Sequence, residues 1–212
     1  MSDRTINNRF RLHTIAPDGK QRNDALPLTV SCREMFRQYL SGRTQDGRVA
    51  PKPIKPKQGQ ESVWDYPRPP RVEPRPERVV VRLGGQVIAD TTDTVRVLEA
   101  SHPPVSYLPI AAFGMGVLVP VKGTTFCEFK GQAHYFDVIA GGVVASRAGW
   151  TYSEPTRGFE ALGTRIALSP GQMDSCEVKG ERVTSQDGDF YGGWVTSQIV
   201  GPFKGGPGTA GS

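Results

Sequence analysis

Arg78-Val-Val-Val-Arg-Leu-Gly-Gly-Gln-Val-Ile-Ala-Asp90 is the stretch on which the reading of this chain turns. Apolar, largely β-branched residues run up to a Gly-Gly pair and resume beyond it. That is the pattern of two antiparallel strands, 78–83 and 86–90, joined by a two-residue turn. A similar unit recurs as Tyr135-Phe-Asp-Val-Ile-Ala-Gly-Gly-Val-Val-Ala-Ser146. The first unit continues into 95–98 and the second into 150–152, which suggests two related meanders. Further strands are predicted over 115–121, 124–129, 165–168, 175–178 and 194–199, and Lys179-Gly180 turns the chain into 181–183. Helix is scarce here: one turn after Pro109, and 156–162 stopped by Gly163. The expected fold class is mainly β, a small curled antiparallel sheet assembly.

Working outward, the body is expected to span 61–209, with a short tail over 210–212. Ahead of it lie an N-terminal extension, 1–42, and a basic, proline-punctuated linker, 43–60. Ser31-Cys-Arg-Glu34 reads as a capping box. Met35, Phe36, Tyr39 and Leu40 follow on one face, so one short helix is predicted before Ser41-Gly42. A helix of that size is below the ~12–15 residues that stand alone in water, so it should dock on something. Three roles stay open for residues 1–60: covering a pocket, docking a partner, or mediating a homodimer.

The 212 residues carry 26 Lys+Arg against 21 Asp+Glu, a formal +5 and a pI near 9.2. The surplus is confined to the first sixty residues, which hold 12 basic and 5 acidic side chains; the remainder holds 14 and 16. A slightly acidic body is not the basic folded face of a nucleic-acid binder, so nucleic acid is not the expected partner. No apolar run approaches the roughly 18 residues of a membrane-spanning helix, and the N-terminus lacks a secretory core, so no membrane is expected either. Cys32, Cys127 and Cys176 are odd in number, widely spaced and free of any Cys-x-x-Cys pair. This argues against disulfides and thiolate zinc, and for a reducing, cytoplasmic setting.

The familiar nucleotide and hydrolase motifs are absent. Gly114-Met-Gly116 lacks the third glycine of a dinucleotide fingerprint, and no phosphate loop or nucleophile elbow occurs. Asp187-Gly-Asp189 has a magnesium-compatible spacing but sits in a turn sequence with no third acid. What remains is a local density of functional side chains. Glu61-Ser-Val-Trp-Asp-Tyr-Pro-Arg-Pro-Pro70 supplies Trp64, Tyr66 and Arg68. Leu98-Glu-Ala-Ser-His-Pro-Pro-Val-Ser-Tyr-Leu-Pro109 sets Glu99, His102 and Tyr107 in a proline-stiffened loop. Phe126-Cys-Glu-Phe-Lys-Gly131 offers Cys127 and Lys130 at a strand end, and Trp150, Tyr152, Tyr191 and Trp194 complete an aromatic set. Such loops are what a small-molecule pocket requires.

Each residue has two readings. His102 serves as general acid or base, or hydrogen-bonds a loop carbonyl. Glu99 orients it, or is a surface carboxylate. Lys130 acts as nucleophile or anion binder, or snorkels from a strand end. Cys127 is a reactive thiol or a small buried hydrophobe, and strand alternation separates it from Lys130 unless a bulge intervenes. Arg68 forks an acidic ligand group, or pairs with Asp65 or Glu73. The aromatics line a cavity or fill the core, the tyrosine hydroxyls being the more suited to a cavity.

The ordered runs Glu-Ser-Val-Trp-Asp-Tyr-Pro-Arg-Pro-Pro, Ser-His-Pro-Pro-x-x-Tyr-Leu-Pro, Cys-x-x-Lys-Gly, Trp-x-Tyr and Phe-Tyr-Gly-Gly-Trp…Gly-Pro-Phe-Lys-Gly resemble the bacterial and fungal family catalogued as domain of unknown function 427, over about 61–209. That family also carries a nucleotidyltransferase-like label. The resemblance implies a β-tent-like fold, whose relatives often hold zinc through cysteine pairs; this chain has no such pairs, so no zinc is carried over. Phe129 stands where the family usually has tryptophan.

Together these residues lead to the expectation of a small-molecule enzyme working by metal-independent acid–base chemistry, as an isomerase, cyclase, lyase or hydrolase. No metal or cofactor is expected. His102 would be the acid or base, with Lys130 and Tyr107 as its partners. The alternatives are a non-catalytic module binding a small ligand or peptide in an aromatic cage and, more distantly, a nucleotidyltransferase-like phosphate-handling enzyme.

Overall fold

The computed structural model describes residues 52–187 and 192–205. The predicted helix after Ser31, Cys32, Asp189, Tyr191 and the 210–212 tail lie outside the described residues. The first strand is β1 (Glu61–Ser62), followed by β2 (Arg71–Arg75), β3 (Val79–Leu83), β4 (Gln86–Thr91) and β5 (Thr94–Leu98). Next come β6 (Val105–Pro109), β7 (Leu118–Cys127), β8 (Gly131–Ala140), β9 (Val143–Thr151) and β10 (Arg165–Leu168). The last five are short: β11 (Ser175–Val178), β12 (Glu181–Arg182), β13 (Thr184–Ser185), β14 (Trp194–Val195) and β15 (Ile199–Val200). Four single 3-10 turns are the only helical elements among the described residues. The fold is mainly β, as the sequence predicts.

Seven strands form an antiparallel sheet in the order β2-β5-β6-β10-β9-β8-β7, and four form a second in the order β12-β11-β3-β4. Alternation along the strands gives the larger sheet two different faces. Leu108, Ile166, Leu168, Val138 and Ala148 turn one way and meet Val79, Val81, Leu83, Ile88 and Cys176 of the smaller sheet. Their neighbours Tyr107 and Ala167 join Val95, Val97, Ala133, Tyr152, Phe159 and Leu162 in a second cluster. Each fully buried aliphatic side chain contributes about 1.5–3 kcal/mol relative to exposure, so both faces stabilise the sheet. A third cluster, Val63, Tyr66, Leu98 and Ile199, sits where β1 pairs with β15 in parallel.

Both Gly-Gly turns form, with φ of +57° and +73° at Gly84 and Gly85 and +55° and +78° at Gly141 and Gly142. They also touch. A Cβ on Gly141 would lie 2.0 Å from the Gly84 carbonyl oxygen, and one on Gly84 would lie 2.2 Å from that of Ala140. The tips of the two hairpins, one from each sheet, therefore meet backbone to backbone, and only glycine fits at either position.

Several predicted elements differ. The stretches 115–121 and 124–129 merge into β7, which absorbs Lys122-Gly123 as a register shift between Val121 and Thr124. Likewise 143–146 and 150–152 are one strand, β9, irregular around Arg147, where φ is +51°. The helix expected over 156–162 shrinks to the turn Glu160–Leu162, because Gly158, at φ +92°, leaves the right-handed helical path. Conversely, β2 and β6 arise in proline-rich sequence. Pro74 is tolerated because β2 is the sheet's edge. Residues 52–60, the latter part of the expected linker, lie along the end of the body: Ile54 N–H donates to Gly201 O at 2.8 Å, and Gln60 Nε2 to Ser197 O at 2.8 Å.

Candidate functional site

The loop between β5 and β6 carries Glu99 and His102. It is clamped from both ends of the body. Ser101, in the left-handed region at φ +68°, donates its N–H to Val63 O at 2.9 Å, while its carbonyl accepts the Lys204 N–H at 2.8 Å. Pro103 and Pro104 are buried, and Pro104 O accepts the Trp194 N–H at 2.8 Å. The loop is therefore held as firmly as a strand, which suits a loop that positions side chains.

His102 Nδ1 lies 2.9 Å from Ala100 O. A carbonyl only accepts, so Nδ1 carries the proton and Nε2 is the basic nitrogen. The reading of His102 as a residue that bonds a loop carbonyl therefore holds, and that bond fixes its tautomer. Burial holds the imidazole below its ordinary pKa; Glu99 and the Ala100 carbonyl oppose that shift, and Lys204 and Arg68 reinforce it.

Glu99 is the hub. Arg68 Nη1 donates to its Oε1 at 3.0 Å, and Lys130 Nζ lies 3.8 Å from its Oε2. Arg68 Nη2 reaches Glu128 at 2.8 Å, and the guanidinium sits 5.1 Å from the centre of the Phe129 ring. Arg68 thus pairs with Glu99 and Glu128, not with Asp65 or Glu73. Phe129 provides the ring on which it rests.

Lys130 stands 5.9 Å from the Tyr152 ring centre, with its side chain only 12% exposed. Cys127 packs in the same cluster as Tyr152. The alternation that would separate Cys127 from Lys130 ends with β7 at Cys127, and residues 128–130 form a turn. Both side chains consequently face Tyr152. Tyr107 lies 6.5 Å from Tyr152, ring to ring, and Trp150 packs against the same cluster. Burial raises both phenols, foremost among the causes in each case.

Glu99, His102, Tyr107, Cys127, Lys130, Arg68, Trp150 and Tyr152 are thus linked, pair by pair, in one neighbourhood. Tyr107 is 1% exposed, so its hydroxyl is a buried strut and not a surface donor. Trp194, expected in the pocket wall, is instead core: it packs against Leu168 and Val138 and gives its indole N–H to Leu168 O at 3.2 Å. Trp64 donates to Pro202 O at 2.9 Å in the third cluster. Tyr66 donates to Glu61 at 3.2 Å and belongs to a separate charged group. There Arg96 pairs with Glu61 at 2.7 and 3.0 Å and with Glu73, beside a shallow polar groove of about 270 Å³. That groove is walled by paired charges and does not coincide with the Glu99 neighbourhood.

Sequence reasoning missed Glu128 and Lys204, although both lie inside runs it singled out, Cys-Glu-Phe-Lys and Gly-Pro-Phe-Lys-Gly. Gly192 lies against the indole of Trp150: a Cβ there would be 2.1 Å from Trp150 Cη2.

Among the described residues, no three His, Cys, Asp or Glu side chains are grouped to hold a metal ion, and no helix is long and apolar enough to cross a membrane. No curated protein matches the sequence. A family model described as Domain of unknown function (DUF427) matches residues 71–179.

Proposed function

The chain belongs to the DUF427 family, whose description names no activity, and from that premise we propose that it is a small-molecule enzyme working by metal-independent acid–base chemistry at the Glu99 neighbourhood. The observation that carries this reading is the histidine whose Nδ1 bonds a backbone carbonyl, on a clamped loop beside a carboxylate paired with two cations. In this reading His102 Nε2 takes a proton from the substrate and later returns it. Its depressed pKa keeps it neutral, and therefore basic, at pH 7. Lys130 stabilises the negative charge that develops on the substrate, or donates a proton to it. Glu99 sets the charge felt by both. Tyr107 and Cys127 act through Tyr152, as positioning residues.

The compartment this reading assigns is the cytoplasm, Cys127 and Cys176 both being free thiols. The partner is a small molecule presenting an acidic C–H or a carbonyl.

The test is turnover of a panel of small carbonyl- and carboxylate-bearing metabolites by the full chain, followed by NMR, with and without chelator. His102→Ala and Lys130→Ala should each lower turnover by about 10²-fold or more while melting near the wild type. Ligand affinity without any turnover would replace the enzyme by a binding module. Chelator-sensitive nucleotide turnover would replace it by a phosphate-handling transferase.

A further inference from the structure

Arg68 is held by two carboxylates of different standing. Nη1 donates to Glu99 Oε1 at 3.0 Å and Nη2 to Glu128 Oε1 at 2.8 Å. The Glu99 side chain is 21% exposed and that of Glu128 65%, so the first pair is enclosed and the second stands in solvent at the rim. The guanidinium itself is well fixed. It lies over the Phe129 ring, and its segment is tied to the loop that carries the candidate base: Pro67 O accepts the Ala100 N–H at 3.4 Å, and Glu99 O accepts the His102 N–H at 3.0 Å. Across from it, Thr156 braces the turn that carries Glu128, its N–H donating to Lys130 O at 3.2 Å and its hydroxyl to Phe129 O. Both backbones are therefore anchored, and the Glu128 carboxylate is the exposed end of the arrangement.

The two pairs differ in how easily they part. An ion pair with one partner mostly in water contributes little, because the freed carboxylate is rehydrated and regains its rotamers. Breaking the enclosed pair leaves a desolvated charge behind and costs more. Glu99 therefore keeps the guanidinium aimed while Glu128 can be exchanged. Nη2 is also a position whose preferred occupant is visible in the fold: a carboxylate oxygen already stands there at 2.8 Å, in a charge-assisted hydrogen bond. Another carboxylate can take that place at small cost to the protein.

We propose that Arg68 is the substrate-binding residue of this site, that its Nη2 receives a carboxylate of the substrate, and that Glu128 holds the place until the substrate displaces it. The inference rests on the site assigned above and names the substrate class as a carboxylic acid. A substrate held at Nη2 is separated by one guanidinium from Glu99, the carboxylate that Lys130 also approaches at 3.8 Å. Only a planar fork serves here, since one edge must stay on Glu99 while the other changes partner; an ammonium would have to leave one carboxylate to hold the other. Glu128 thereby sets the affinity: the apparent dissociation constant is the intrinsic one divided by the fraction of chains in which Nη2 is open.

The experiment is NMR titration of the full chain with formate, pyruvate and succinate, at constant ionic strength balanced with chloride, with pyruvamide as an uncharged counterpart. At least one carboxylate should bind saturably, one per chain, and pyruvamide should not. Glu128→Gln removes the competitor and should tighten that binding by about three- to fivefold. Glu154→Gln removes the same charge from an exposed residue whose backbone lies against Gly131, and should change it by less than about 1.5-fold. Arg68→Lys should weaken binding by about fivefold or more and, combined with Glu128→Gln, should cancel the gain. Melting curves accompany each variant; if Arg68→Lys melts early, the comparison of wild type, Glu128→Gln and Glu154→Gln decides alone. No saturable carboxylate binding, affinity unchanged or weakened by Glu128→Gln, an equal gain from Glu154→Gln, or a gain that survives Arg68→Lys each overturns the proposal. Failure of the catalytic reading looks different: carboxylate binding would keep its dependence on Arg68 and Glu128 while His102→Ala left turnover intact.

Discussion

Replacing Glu99 by glutamine removes one negative charge and almost no volume, and so probes whether the neighbourhood is an electrostatic unit. Arg68 stands 3.0 Å from one carboxylate oxygen and Lys130 3.8 Å from the other. At an effective dielectric near 20 those separations correspond to roughly 5 and 4 kcal/mol of bare attraction. Desolvation and screening cancel most of it. The three side chains are 21%, 29% and 12% exposed, which places the pairs between surface bridges, worth about 0–1 kcal/mol, and buried ones, which cost 3–5 when broken. A net loss of about 2 kcal/mol follows, or about 4–8 °C in melting temperature for a domain of this size. The same substitution removes the charge that raises the His102 pKa, so the imidazole should titrate lower still. The assays are thermal melting by circular dichroism and NMR titration of the His102 Cε1–H signal, assigned with a His102→Gln variant. An unchanged melting temperature, together with a His102 midpoint that stays or rises, would refute the view that Glu99 organises the site.

Further outcomes test other parts of the structure. Because burial lowers the His102 pKa, the unfolded chain binds more protons than the folded one below the ordinary histidine value of about 6.5. Stability should therefore fall as pH drops through that value toward the folded pKa, and His102→Gln should flatten this part of the slope in urea melts; equal slopes would count against it. Burial pushes the Cys176 thiol up to about 12, so at pH 8 its thiolate fraction is about 10⁻⁴. Alkylation followed by peptide mapping should modify Cys127 ahead of Cys176, which should react only after unfolding. Gly142→Ala has open space and incurs only its positive φ, about 1–2 kcal/mol. Gly141→Ala should cost at least ~1 kcal/mol more, because its Cβ would meet the Gly84 carbonyl. Equal losses in chemical denaturation would show that the hairpin tips do not touch.

The parts of the fold that sequence made legible were those in which a local pattern admits one conformation. Gly84-Gly85 and Gly141-Gly142 announced their hairpins because few other dipeptides take positive φ twice in succession. β2 and β6 stayed hidden because Pro74, Pro103 and Pro104 speak against strand, and only the sheet decides that Pro74 lies on an edge. The site divides along the same line. Glu99, His102 and Lys130 lie in dense, stiff runs and could be selected locally. Lys204 reaches them from about a hundred residues beyond His102, through a backbone hydrogen bond that no periodicity records. Trp194 shows the converse limit: a tryptophan in an aromatic run looks the same whether it walls a pocket or fills the core, and its bond to Leu168 O decides for the core.

The parallel pairing of β1 with β15 has a consequence for the order in which the protein comes into being. Glu61 finds its partner in Ile199, and Trp64 bonds Pro202 across 138 residues of sequence. A contact of such separation closes late in folding, after the loops between have been ordered. On the ribosome, a chain that has emerged only as far as β11 can already pair β3 with β4 and β8 with β9, yet it lacks the strand that pairs with β1 and the Lys204 N–H that holds Ser101 O. The clamp on the loop that carries Glu99 and His102 is thus incomplete in every nascent chain until residue 204 has been translated, and a product truncated before residue 199 would be sheet without that clamp.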